Sequence, residues 1–216
     1  MIVLVGGEKG GTGKSTLATN LAVWLAYEFG SKDVLLLDAD IQSTSKKWAD
    51  RRGDGDPSLI SVAVAQATGD VFKPARELAT KYGQIVIDAG GRDSKELRTA
   101  MVAADVLLVP TRASQPDLET MDHVNELIAL ARGLNANLRA YAVVSMAPSN
   151  PMINEVGEAQ AFLKDFPEFV LAGTFVRDRK VYRDAILEGK GVVEMNNSQA
   201  KAEIQLLGQE IYGTAE

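Results

Sequence analysis

The sequence predicts an α/β fold: a single doubly wound, mainly parallel β-sheet with helices on both faces. Three observations carry this expectation. Short unbroken apolar runs, IVLV at 2–5, VLLL at 34–37 and IVI at 85–87, have the length of strands buried on both faces. Segments with apolar residues near helical spacing separate such runs, as crossover helices do in βαβ units. Glycine or aspartate follows each of the three runs, at the carboxyl ends of the strands where open sheets of this kind place their ligands.

The elements follow in order. The run at 2–5 feeds a loop containing Gly10, Gly11 and Gly13, and 15–29 reads as a helix (Leu17, Leu21 and Leu25 on one side) closed by Gly30. The strand at 34–37 ends in Asp38-Ala39-Asp40-Ile41-Gln42, a short helix spans 43–52, and 53–57 is a Gly/Asp/Pro loop. A weaker strand is expected at 60–64, then a helix from an Asp70 cap to Tyr82. The strand at 84–88 ends in Asp88 and precedes Ala89-Gly90-Gly91, with a helix at 95–103 and a strand at 106–110. Pro116 sits near the first turn of one long helix reaching about Ala131, with Gly133 beyond it. Strands at 138–144 and 169–176 flank a helix at 153–164, and helices at 181–187 and 198–212 close the chain. No internal repeat, low-complexity tract or dividing linker is visible, so one domain over 1–216 is expected.

Composition narrows the function. Hydrophobic residues make up 46% of the 216 and charged residues 24%, ordinary values for a globular chain. Cysteine is absent, which excludes disulfides, thiolate metal sites and cysteine nucleophiles. His123 is the only histidine, so neither an ordinary zinc site nor a Ser/His/Asp arrangement beyond that one residue is available. Trp24 and Trp48 read as packing residues. No signal peptide and no stretch approaching about 18 apolar residues appears, so a cytoplasmic protein with no membrane partner is expected. A net charge of −6 speaks against a uniformly basic nucleic-acid binder while leaving room for a local basic face.

A strand, a glycine loop and a helix start, in that order, form a phosphate-binding device. Glycines let consecutive backbone N–H groups approach an anion, and the helix N-terminus adds partial positive charge. The segment Lys9-Gly10-Gly11-Thr12-Gly13-Lys14-Ser15-Thr16 fills this place. Lys14 would reach the outer phosphates of a nucleotide as a point charge, and the Ser15 hydroxyl would ligate Mg²⁺. The general pattern G-x-x-x-x-G-K-[ST] fails at its first position, where Glu8 stands.

The loop resembles instead the deviant Walker A motif, KGGxGK[ST], of the ParA/MinD family of ATPases. The iron–sulfur carriers and the nitrogenase iron protein share a similar loop but need cysteines that this chain lacks. In the family the first lysine, here Lys9, reaches the phosphates bound by the other subunit of a nucleotide-sandwich dimer. The resemblance therefore implies ATP and Mg²⁺ as cofactors, an ATP-bound homodimer, and Lys9 as a charge supplied in trans.

The carboxylates fit the same picture. Asp88, after Ile85-Val86-Ile87, reads as a Walker B aspartate holding Mg²⁺ through a coordinated water. Asp38-Ala39-Asp40-Ile41-Gln42 resembles the family's DxDxQ switch: Asp40 matches the residue that orients the attacking water, and Asp38 a magnesium partner. Ile41 stands where the partition ATPases usually have proline. The expected machinery is thus Asp40, Lys9 and Lys14 for catalysis and Ser15, Asp38 and Asp88 for the metal. The adenine is expected near Ser145-Met146 and near Val176 and Asp178, with ATP rather than GTP resting on the resemblance.

Further segments point to a branch. Val109-Pro110-Thr111 with Ser114-Gln115-Pro116-Asp117-Leu118 looks like the family's segment after the fifth strand. The stretch from Thr174-Phe175-Val176-Arg177-Asp178-Arg179 to Gly189-Lys190-Gly191-Val192-Val193-Glu194 resembles the ending of small ParA-type plasmid-partition ATPases. A MinD-like protein would end in an amphipathic membrane-targeting helix, whereas this chain ends in Ile211-Tyr212-Gly213-Thr214-Ala215-Glu216. The larger partition ATPases carry an N-terminal DNA-reading extension, whereas here the glycine loop starts within ten residues of Met1, so specific operator binding by this chain is not expected. Non-specific, salt-sensitive DNA binding is expected from Arg177, Arg179, Lys180, Arg183, Lys190 and Lys201, interspersed with Asp178, Asp184, Glu188 and Glu194.

The resemblance implies a slow Mg²⁺-dependent ATPase that drives plasmid partition from the nucleoid, with a centromere-binding protein stimulating hydrolysis. Two alternatives stay open: a spatial organiser of a protein cluster or microcompartment, and a metabolic ligase of the dethiobiotin or cobyrinate type.

Overall fold

The computed structural model describes residues 1–148 and 155–213. Its strands are β1 (Ile2–Val5), β2 (Val34–Ala39), β3 (Ala63–Gln66), β4 (Gln84–Ala89), β5 (Val106–Thr111), β6 (Arg139–Val144) and β7 (Val170–Leu171). They pair in the order β3-β2-β4-β1-β5-β6-β7, and every pairing is parallel. The helices are α1 (Lys14–Phe29), α2 (Thr44–Asp54), α3 (Phe72–Leu78), α4 (Lys95–Ala103), α5 (Gln115–Leu118), α6 (Met121–Arg132), α7 (Glu155–Leu163), α8 (Lys180–Leu187) and α9 (Ser198–Tyr212).

Alternation along the strands builds two cores. Ile2 and Leu4 of β1, with Leu35, Leu37, Ile85 and Ile87, face the layer containing Ala75 of α3, Leu97 and Met101 of α4, Leu127 of α6 and Leu163 of α7. Val3, Val5, Leu36 and Val86 face the opposite layer of α1, α8 and α9, with Trp48 of α2. Sides two residues apart share a face, so unbroken apolar runs serve both layers. Helix α9 lies so close on α1 that a β-carbon at Gly208 would stand 2.4 Å from the Trp24 ring. The arrangement puts the carboxyl ends of β1, β2 and β4 side by side, with β1 at the point where the winding reverses toward β5.

Four expected elements differ. The weak strand is β3 at Ala63–Gln66, shifted toward Gln66 from the expected 60–64. Helix α3 stops at Leu78, although Asp70 does accept the Phe72 N–H at 3.0 Å at its start. The long helix expected after Pro116 is broken into α5 and α6 at Glu119–Thr120, where the Thr120 N–H donates to the Asp117 carbonyl three residues back at 3.3 Å. The strand expected over 169–176 is regular only at Val170–Leu171: Ala172 and Val176 still donate to the Ala142 and Val144 carbonyls, but the amides of Gly173 and Thr174 between them donate to the Glu210 carboxylate. The expected start of the seventh helix at Ile153, and the tail at 214–216, lie outside the described residues.

Candidate functional site

The site is built at the start of α1. Gly11 (φ 75°) and Gly13 (φ 87°) sit in the left-handed region that suits glycine, and they fold the loop tightly over the end of β1. Among the described residues no side chain caps α1, so its first N–H groups face the loop's concavity and remain available to an anion. The loop is tied down from outside: the Ser145 hydroxyl donates to the Thr12 carbonyl at 2.6 Å, and the Arg112 guanidinium donates to the Gly11 carbonyl.

Beside it opens a cleft of about 660 Å³, lined by Gly10 to Thr16 apart from Thr12, by Asp40 to Gln42 and Thr44, and by Gly90 to Glu96 apart from Asp93 and Lys95. The loop's two lysines divide here. Lys14 is buried and donates its ammonium to the Lys9 carbonyl at 2.5 Å. Burial lowers its pKa, opposed by the charges of Asp88 and Asp40. Lys9 is exposed, is absent from the walls of this cleft, and its side chain makes no hydrogen bond or ion pair among the described residues.

The three aspartates meet at adjacent strand ends, Asp38 directly paired with Asp88 in the β2–β4 register. Asp38 accepts the N–H groups of Asp40 at 3.0 Å and of Lys46 at 2.7 Å, which fastens the switch segment to β2. Burial raises its carboxyl pKa against those two bonds. Asp40 is half-buried and accepts the Gln42 N–H at 2.9 Å, in a turn whose Ser43 adopts φ 51°. Asp88 is fully buried; its Oδ2 accepts the Ser45 hydroxyl at 2.7 Å, while Oδ1 has no hydrogen-bond partner among the described residues. Desolvation pushes its pKa up to about 7, opposed by the Ser45 and Ser15 hydroxyls nearby.

An orphaned, buried carboxylate oxygen next to the Ser15 hydroxyl fits a hydrated divalent cation shared with phosphate oxygens. Magnesium is commonly held in this way, by one or two protein oxygens and several waters. No cluster of three or more His, Cys, Asp or Glu suited to a protein-only metal cage occurs among the described residues.

The residues expected around the base lie on the other side of Gly13. Met146, Val176 and Asp178 line a small cavity of about 60 Å³ together with Gly13, Thr16, Ser145 and Tyr182. Met146 holds φ 51°, a conformation that costs a non-glycine residue on the order of 1–3 kcal/mol and so marks a constrained position. Its sulfur accepts from Arg112 at 3.3 Å.

The six cations expected to bind DNA are largely engaged. Arg179 pairs with Glu203 at 2.9 Å, Lys180 with Asp184 at 2.6 Å, Arg183 with Asp178 at 2.5 Å and Lys190 with Glu188 at 2.8 Å. Arg177 donates to the Pro148 carbonyl and covers the Phe175 ring at 5.0 Å, while Lys201 is half-buried. His123 lies 3.5 Å from Asp93 and 3.6 Å from Glu126, on the surface of α6. Among the described residues no helix is long and apolar enough to cross a membrane.

Three participants escape a reading of the sequence. Ser45 looks like one of several small residues opening α2, and only the fold brings it to Asp88. Arg112 and Arg92 stand in loops after β5 and β4 without a motif to single them out; for Arg92 the preceding Gly90-Gly91 was the available signal, and for Arg112 there was none.

Comparison with known proteins agrees with this geometry. "Maintenance of carboxysome distribution protein A" from Gloeobacter kilaueensis is 29% identical over 216 residues, covering 97% of this chain and 93% of its own. "Chromosome-partitioning ATPase Soj" from Thermus thermophilus is 27% identical over 186 residues, covering 73% of this chain and 74% of its own. The fold matches that of a Cyanothece McdA variant solved as an ATP complex, with a TM-score of 0.76 at 17% identity, over 100% of this chain and 97% of the other. The family model of the CobQ/CobB/MinD/ParA nucleotide binding domain matches residues 3–192. With a deviant glycine loop, strand-end aspartates and a match over most of its length, the chain belongs to the CobQ/CobB/MinD/ParA nucleotide-binding family.

Proposed function

We propose that this protein is a Mg²⁺-dependent ATPase of the ParA/MinD type that dimerises on ATP and uses that switch to position a cargo on the nucleoid. The observation that carries the reading is the division of the two loop lysines. Lys14 is buried under its own loop with its ammonium fixed by the Lys9 carbonyl, while the Lys9 side chain is exposed and unpaired, free to complete a site on a second copy.

In this reading the loop amides and Lys14 hold the phosphates, Ser15 and Asp88 hold the metal, and Asp38 holds the switch segment in place. Asp40 orients the attacking water toward the γ-phosphate. Mg²⁺, when bound, neutralises charge on the β- and γ-phosphate oxygens. The base occupies the region of Met146, Val176 and Asp178, whose present cavity has room for about two waters, so the Met146 side chain moves aside to admit a purine.

The cargo follows from different support. The relatedness over 97% of the chain to a carboxysome distribution protein favours a protein assembly, distributed over non-specifically bound DNA. The likeness to a chromosome-partitioning ATPase, together with the ParA-type segments near the C-terminus, supports the second reading, DNA partition through a centromere-binding protein that stimulates hydrolysis. The two separate in cells lacking the gene: clustering of a protein assembly supports the first, loss of a low-copy DNA the second.

The experiment that tests the switch is the Lys9→Ala variant. It should bind ADP as the parent does and fail to form the ATP-dependent dimer. A ligase of the CobQ/CobB branch has no use for a lysine acting in trans, and would lose little. An ATP-bound Lys9→Ala dimer of parental stability contradicts the proposal.

A further inference from the structure

The loop after β4 carries a cation that the phosphate loop does not account for. Its two glycines thread a narrow gap: a β-carbon at Gly90 would stand 3.2 Å from Asp40 Oδ1, and one at Gly91 would stand 2.8 Å from Lys14 Nζ and 2.9 Å from the Lys9 carbonyl. The backbone therefore passes between the switch carboxylate and the buried amine, and the next residue, Arg92, forms part of the wall of the 660 Å³ cleft.

Arg92 is exposed and makes no hydrogen bond or ion pair among the described residues. The acids closest to it in sequence are taken. Asp93 accepts from Arg98 through both oxygens and faces His123, and Glu96, on the same wall, accepts the Gly69 N–H at 2.7 Å. A free guanidinium thus stands on the wall of the cleft, on the loop that packs against Gly10 and Lys14. The Asp40 carboxylate lines the same cleft, so a polyphosphate entering there gains from an added cation.

We propose that Arg92 contacts the γ-phosphate of ATP bound in its own subunit and stabilises the charge that builds on its oxygens during hydrolysis. This rests on the ATPase reading above. Water adds its oxygen to the γ-phosphorus, the bridging oxygen leaves on ADP with the electron pair of the broken bond, and the surplus proton passes through Asp40 to solvent. Arg92 transfers no proton; its planar fork donates hydrogen bonds to two phosphate oxygens at once, which a lysine does not reproduce. ADP lacks the group it touches, so the contact distinguishes the two nucleotides.

The test compares Arg92→Ala, Arg92→Lys and Arg92→Gly with the parent for hydrolysis, ATP and ADP affinity, and ATP-dependent mass. In Arg92→Ala kcat should fall about 100-fold, the scale seen when one preorganised donor is removed, with ADP affinity held within about twofold. Arg92→Lys should recover only part of the rate, and guanidinium ion added to Arg92→Gly should restore some turnover, which a merely structural residue would not allow. A kcat within about threefold of the parent overturns the proposal. So does an equal loss of ATP and ADP affinity, or a lost mass increase with unchanged ATP affinity, which would make Arg92 an intersubunit contact. Lys14→Ala separates the levels: if it too hydrolyses ATP normally, the ATPase reading fails, whereas an inactive Lys14→Ala beside a normal Arg92→Ala removes only the role of Arg92.

Discussion

Ser45 donates its hydroxyl proton to Oδ2 of Asp88 across 2.7 Å, pinning the first turn of α2 to the end of β4 and leaving Oδ1 of the same carboxylate buried without a partner. One oxygen is satisfied by the fold and the other is not. That asymmetry has measurable consequences.

The first concerns stability and pH in the nucleotide-free, metal-free protein. Desolvation pushes Asp88 up to about 7, whereas an unfolded aspartate titrates near about 4. Between those values the folded chain holds a proton that the unfolded chain has released, so its contribution is complete below about 4 and is lost as pH rises through about 7. Asp88→Asn removes the titration. Its melting temperature should exceed the parent's at pH 8 and converge with it near pH 4, the gap reflecting a few kcal/mol. Equal gaps at both pH values would mean that the buried charge is not the cause.

Ser45→Ala tests the other oxygen. Without the hydroxyl the ionised carboxylate is less well solvated and less well aimed, and supporting partners of this kind are worth roughly 10–100-fold in metal affinity. The Mg²⁺ concentration giving half-maximal hydrolysis should rise about tenfold, with the fold intact by circular dichroism. An unchanged requirement would show that Ser45 serves α2 alone.

Gly91→Ala probes the close approach of the β4 loop to the phosphate loop. The added carbon would lie 2.8 Å from Lys14 Nζ and 3.0 Å from Gly10 Cα, so the amine or the loop must move. Hydrolysis should fall at least about tenfold while unfolding stability changes by about 1 kcal/mol or less, since the clash falls on a loop beside an open cleft. Normal turnover would argue that this contact is loose.

Far from the cleft, Arg52 of α2 and Glu194 are both buried and meet at 2.7 Å, with the guanidinium also donating to the Ile60 and Gly189 carbonyls and lying 5.4 Å from the centre of the Trp48 ring. Removing one partner of such a pair strands a buried charge. Glu194→Ala should lose about 3 kcal/mol or more in urea unfolding followed by tryptophan fluorescence, whereas an Arg52→Met, Glu194→Leu double variant should lose much less. Equal losses would place the energy in packing rather than in charge.

Much of this architecture can be read before folding. Helices α4 and α9 run over the spans that apolar spacing assigns, and α1 differs by one residue at its start, because each presents a continuous buried side between plain ends. The glycine loop was legible because its chemistry is contiguous. What escaped depends on contacts between distant segments. The break at Thr120 is a tight turn of the backbone onto Asp117 that no apolar spacing announces, and the shortening of β7 comes from Glu210, a residue of α9, drawing away two amides. The same holds in the site, where Ser45 and Arg112 are common residue types that acquire meaning only beside Asp88 and Gly11, and Arg92 only as part of the cleft wall. The basic C-terminal stretch was visible as composition; Lys180, Arg183 and Lys190 pair with acids two to five residues away, and only the pair of Arg179 with Glu203 depends on α9 packing nearby.

The most direct measurement is light scattering of the Asp40→Ala protein with Mg²⁺ and either ATP or ADP. Blocking hydrolysis holds the ATP state long enough to weigh it. The account predicts a monomer with ADP and a dimer or larger species with ATP. The same mass in both nucleotides would contradict it.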